Sequence, residues 1–182
     1  LGAAVDRLLA PLGGLDAFVR PGCRVLVKPN LLTDRPPEAA VTTHPELLRQ
    51  VLRKLKAAGA EVTVADSPAY AARIEQVWRT TGVQAVCAEE RVPLRRMEAS
   101  PFTTLARDGF TFSVSDLALH ADVIVSLPKV KTHSLTVLTA AIKNFYGTIP
   151  GHLKTELHKT CSHPARFGGL VRAVCQVMPP SL

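Results

Sequence analysis

The 182-residue sequence is poor in aromatic residues, with nine, and in acid towards its end, where only Asp122 and Glu156 follow His120. So few aromatics, without basic–aromatic interleaving, argue against a stacking platform for single-stranded nucleic acid. No helix-turn-helix or zinc-finger pattern appears either, and nucleic acid is not an expected partner. No apolar run approaches the roughly 20 residues of a membrane span. The opening LGAAVDRLLAPLGG lacks both Met and a basic n-region, and reads as an internal cut rather than a signal peptide. The four cysteines are far apart and form no CxxC, which disfavours a disulfide framework and points to a reducing, cytoplasmic setting. GxGxxG, GxxxxGK(S/T), GxSxG and HExxH are all missing, so the common nucleotide, esterase and zinc-protease signatures give no lead.

What the sequence does have is positive charge in one place. The net charge is +7, and the stretch from His120 onward holds five of the six histidines with seven Lys or Arg. Such a balance favours anionic partners. The length suits a single domain over residues 1–182.

Short apolar runs alternate with helical patterns. Cys23–Val27, Glu61–Ala65 and Ala121–Leu127 read as buried strands, and Val83–Cys87 as a further one. After Thr43-His44-Pro45, Leu47, Leu48, Val51, Leu52 and Leu55 recur at helical spacing until Gly59, with Thr43 or His44 as the cap. Helices are also expected over about Ala71–Thr81, over Leu135–Phe145, and from His163-Pro164 to Met178. Residues 89–115 read as an irregular or antiparallel excursion. This order predicts an α/β fold: a largely parallel sheet with helices on both faces, Rossmann-like and three-layered. The chain stops after a helix where another strand is due, so the fold reads as a truncated piece or one completed from elsewhere.

Ligands of open parallel sheets bind beyond the carboxyl ends of the strands. Three predicted strands end in polar groups there: Lys28 with Asn30, Asp66 with Ser67, and Lys129 with Lys131 and His133. Alternation places Lys129, Lys131 and His133 on one side, ahead of a predicted helix whose first N–H groups suit phosphate or carboxylate. Lys143, amid apolar neighbours, either snorkels or faces a ligand, and Asn144 has no helix-forming reason to be there. His158, Cys161 and His163 carry metal-ligand chemistry, but at a spacing that matches no standard site. An acid, base or anion-donor role suits His158 better.

VLVKPNLL (25–32), TTHPELL (42–48), AGAEVTVADSP (58–68), ADVIVSLPKVKTHSL (121–135), AAIKNFYGTIPG (140–151) and KTELH (154–158) occur in that order. Together they resemble the family called domain of unknown function 362. The resemblance carries over Lys28, Asn30, His44, Asp66, Lys129, Lys131, His133, Lys143, Asn144, Lys154 and His158 as positions matching its motifs, with their roles left open. Family members are often joined to ferredoxin-like segments holding 4Fe–4S clusters, which implies redox chemistry somewhere in the family. No cluster-binding cysteine run is evident in this chain, so any cluster is expected in a fused or partner domain.

Two functions follow as expectations. In the first, the protein is an enzyme on a small phosphate- or carboxylate-bearing substrate. His133 or His158 would then act as acid or base, Asp66 would orient, and Lys28, Asn30, His44, Lys129, Lys131, Lys143, Asn144 and Lys154 would bind. In the second, it is a non-catalytic module for a cluster-bearing partner or a polyanion.

Overall fold

The computed structural model describes residues 1–68, 73–133, 135–179 and 182. Among them, α1 spans Gly2–Leu9, β1 Arg24–Pro29, α2 Pro45–Ala57, β2 Glu61–Asp66, α3 Ile74–Thr80, α4 Val83–Glu89 and β3 Leu94–Arg96. A hairpin of β4 (Phe102–Arg107) and β5 (Phe110–Ser115) follows, then α5 (Asp116–Leu119) and β6 (Val123–Leu127). A second, smaller hairpin comprises β7 (Lys131–His133) and β8 (Val137–Thr139). It precedes α6 (Ala141–Asn144), α7 (Gly151–Thr160) and α8 (Pro164–Gln176).

The central sheet has the order β3-β2-β1-β6, and every pair in it is parallel. Alternation along the strands divides the core in two. Val25 and Val27 of β1, Val62 and Val64 of β2, and Val123 and Val125 of β6 pack with α2, α3 and α4. Leu26 and Ile124 face the other way, onto α8, β5 and the Phe145–Ile149 segment. The expected three-layer α/β architecture is therefore present. Among the described residues the largest fully buried side chain is polar, that of Lys28.

Several local expectations fail for identifiable reasons. Val83–Cys87 is helical, because Val83, Val86 and Cys87 present one stripe to the α2 side of the core. A short apolar run does not by itself separate strand from helix. In place of the helix expected from Leu135, Lys131–His133 and Val137–Thr139 form the antiparallel β7–β8 pair, Lys131 opposite Thr139 and His133 opposite Val137. Its β-branched Thr132, Val137 and Thr139 suit strands, and only the short α6 remains of the helix. The excursion over residues 89–115 contains the antiparallel β4–β5 pair. Residues 151–160, to which the sequence reading assigns no element, are the helix α7. The expected helix over Ala71–Thr81 is seen as α3, and its first two residues lie outside those described.

After α8 the chain returns to the sheet. Leu182 donates from its N–H to the Ile124 carbonyl (2.9 Å) and accepts from the Ser126 N–H (2.8 Å) along the outer edge of β6.

Candidate functional site

The strand order reverses between β1 and β6, and the sheet opens a crevice where such strands part at their carboxyl ends. A cavity of about 380 Å³ lies there, and Lys28, Asp66, His133, Lys143, Lys154 and His158 line it together with Asn30 and Asn144. A larger hollow of about 560 Å³ lies at the amino ends of β1 and β2, but among the candidate residues it holds none. Its Arg24 is already engaged by Asp122, at 2.8 Å. The carboxyl-end cavity is where the chemistry concentrates.

Its floor is an ion pair. Lys28, 1 % exposed, donates from Nζ to Asp66 Oδ1 at 2.6 Å, and Asp66, 3 % exposed, also accepts from the Leu31 N–H at 2.8 Å. Asn144 ties this floor to the neighbouring strand. Its Oδ1 accepts from Lys28 Nζ and Asn30 Nδ2, both at 3.3 Å. Its Nδ2 donates to the Lys28 carbonyl at 3.1 Å and to Ser126 Oγ at 3.0 Å. All four polar contacts of a buried amide are thereby satisfied, which explains an Asn on the short helix α6. Lys131 donates to Asn30 Oδ1 (2.8 Å) and the Val41 carbonyl (2.6 Å), so it braces the rim.

Two further lysines line the cavity, one from α6 and one from α7. Lys154, on α7, donates to the Ser67 carbonyl at 2.5 Å. Burial outweighs the attraction of Asp66 and lowers its pKa to about 8. Lys143, from α6, is half-buried and has no hydrogen bond or ion pair with any described residue. Burial, reinforced by Lys131 and Lys28, lowers its pKa to about 8 as well. A cation left unpaired in a concave, partly desolvated site is complementary to an anion.

The histidines have opposite hydrogen-bond polarity. His133 Nδ1 accepts from the Leu135 and Thr136 N–H groups (3.1 and 3.2 Å), which places the proton of its neutral form on Nε2. Burial, then Lys143 and His158, lower its pKa and favour that neutral form. His158 Nδ1 lies 2.7 Å from the Lys154 carbonyl, which can only accept, so Nδ1 carries the proton of the neutral ring and leaves the lone pair of that form on Nε2. Tyr146 packs edge-on against His158, with ring centroids 5.1 Å apart, and donates to the same carbonyl at 2.9 Å. Burial raises the Tyr146 hydroxyl pKa and keeps it neutral. The cavity thus combines one imidazole donor with one imidazole acceptor.

Not every candidate converges. His44 is exposed and caps α2, its Nδ1 accepting from the Glu46 N–H at 3.2 Å. Lys129 precedes β7 and lies outside the cavity lining. Cys161 is buried in the core on the α8 side, and His163 is an exposed cap of α8. With His158 in the cavity, these three do not converge. Among the described residues no three His, Cys, Asp or Glu side chains form a metal-binding group. The cysteines do not fit an iron–sulfur cluster: Cys87 and Cys23 belong to one core and Cys161 and Cys175 to the other, with the sheet between them.

The sequence reading missed Tyr146, Glu98 and the role of Gly147. A Cβ added at Gly147 would lie 2.5 Å from both Asp66 Oδ1 and Lys28 Nζ, so the ion pair needs this glycine. Tyr146 and Gly147 sit inside the KNFYG run, and proximity to Lys143 was the one available signal. Glu98, from the chain after β3, accepts from Ser67 Oγ and the Gly151 N–H, a long-range convergence without a local pattern.

These features define an α/β protein with a cationic, histidine-bearing cavity at the switch point of a parallel sheet. By fold it resembles the lactate racemase apoprotein from Thermoanaerobacterium thermosaccharolyticum, with a TM-score of 0.54 at 15% identity, over 86% of this chain and 40% of that one. The chain belongs to the family described as Domain of unknown function (DUF362), whose model matches residues 25–182. It is 33% identical over 181 residues to the thylakoid-associated protein sll1697 of Synechocystis sp.. That alignment takes in 99% of this chain and 56% of the relative, so the chain spans about half the relative's length. Among the described residues no helix is long and apolar enough to cross a membrane.

Proposed function

We propose that the cavity is the active site of an enzyme acting on a small carboxylate- or phosphate-bearing substrate by proton transfer. The observation that carries this reading is the Lys143 amine, unpaired among the described residues, in a cavity shared by an imidazole donor and an imidazole acceptor. The substrate's anion is drawn between Lys143 and Lys154, whose burial makes their charge costly until an anion arrives. His158 Nε2 receives a proton from the substrate, and His133 Nε2 supplies one. Asp66 fixes Lys28 and, through it, Asn144 and the strand ends beneath the substrate. The lactate racemase resemblance is compatible with such a substrate, since that protein's name refers to a small hydroxycarboxylate. A 4Fe–4S cluster, where the family's redox chemistry requires one, is supplied by a fused or partner ferredoxin-like segment.

The test is a thermal-shift screen against inorganic phosphate, nucleotides and small carboxylates, with Lys143→Ala and His133→Ala in parallel. A ligand that stabilises the wild type and neither variant supports the reading. If all polyanions stabilise equally and salt abolishes the effect, the cavity reading fails and a non-catalytic polyanion-binding module takes its place.

A further inference from the structure

We infer that Lys143 is a nucleophile that condenses with the carbonyl carbon of a 2-oxo acid, while Lys154 holds the carboxylate. This deepens the reading above and rests on it. The argument comes from the unequal circumstances of the three lysines that line the cavity. Lys28 is locked to Asp66 at 2.6 Å and its charge is neutralised in place. Lys154 is anchored on the Ser67 carbonyl at 2.5 Å. Lys143 touches no acceptor among the described residues, lines the cavity beside His133, and stands near two other cations, Lys131 and Lys28. Desolvation next to cationic neighbours is the setting in which a lysine becomes an amine nucleophile at ordinary pH. With its pKa near 8 in place of 10.5, Lys143 has on the order of a hundredfold more free amine at neutral pH than an exposed lysine.

The step balances without any redox partner. The Lys143 Nζ lone pair forms a bond to the carbonyl carbon as the carbonyl π bond opens. In net, two amine hydrogens and the carbonyl oxygen leave as one water, and His133 relays protons from nitrogen to oxygen. The imine, once protonated, acidifies the hydrogens on the adjoining carbon, and His158 Nε2 is the lone pair available to receive one. No electrons are exchanged with an outside group.

The experiment uses the whole chain with pyruvate as the probe and cyanoborohydride to trap the imine, read by intact mass and peptide mapping. One reduced adduct is expected, on Lys143, formed faster at pH 8 than at pH 6 and at least tenfold faster than on the exposed lysines (order of magnitude from the amine fractions). Lys143→Arg should abolish it. Lys143→Met should do the same with a circular-dichroism spectrum like the wild type's. If pyruvate raises the melting temperature but no adduct maps to Lys143, the anion cavity stands and the nucleophile is refuted. Labelling spread evenly over surface lysines refutes it as well, and failure of every small acid to bind overturns both readings.

Discussion

Replacing Lys28 by Met tests the floor of the cavity. Among the described residues the substitution removes the one cation paired with Asp66 and leaves a carboxylate 3 % exposed, with the Leu31 N–H as its remaining partner. Breaking one side of a buried ion pair costs about 3–5 kcal/mol, mostly the penalty of the stranded charge. For a chain of this size, each kcal/mol lowers the melting temperature by roughly 2–4 °C, giving a fall of roughly 6–20 °C. The companion Lys28→Met/Asp66→Asn removes both charges while Asn keeps an oxygen for the Leu31 N–H. It should recover most of the loss, to within about 2 kcal/mol of wild type, because a matched neutral pair carries no stranded charge. Thermal and urea unfolding at pH 7, followed by far-ultraviolet circular dichroism, would read both. If Lys28→Met costs less than about 1 kcal/mol, or the double variant is no better than the single, the pair is not buried as described.

Gly147→Ala should destabilise by about 1–3 kcal/mol and abolish anion binding, since its Cβ would press on Lys28 and Asp66; equal melting temperatures and affinities would refute the close approach. Asn144→Leu strands the donors and acceptors it now satisfies and should cost about 1–3 kcal/mol in urea unfolding. Lys143 and Lys154 have folded pKa values of about 8 against 10.5, so between these limits the unfolded chain binds more protons and stability should rise with pH. Urea midpoints measured from pH 7 to pH 10 check this, and Lys143→Met should flatten part of the rise. His133 is lowered too, so its protonation on acidification opposes folding, and His133→Gln should lessen the loss of stability below its ordinary value of 6.5.

Much of the fold is legible in the residues. The continuous apolar runs in VLVKP and ADVIVSL mark two buried strands, and the leucine spacing after His44-Pro45 marks α2, with His44 as its cap. Such patterns are local, and the chain's own periodicity sets them. The clusters at the strand ends are legible for the same reason, because a parallel order sends Lys28 and Asp66 to one edge. Composition also marked the histidine-rich final third as the cationic side. Other features belong to the tertiary structure alone. Val83–Cys87 is apolar enough for either strand or helix, and packing against α2 chose the helix. The segment after Lys131 folds back as a hairpin because His133 receives the Leu135 and Thr136 N–H groups, a local choice that no period announces. That α7 brings Lys154 and His158 to the cavity, and that Gly147 admits the Lys28–Asp66 pair, depends on contacts between residues far apart in the chain. The same holds for the three lysines of the cavity. Sequence counts them alike, and only the placement of acceptors among the described residues makes Lys28 a strut, Lys154 a docked cation and Lys143 an unpaired amine.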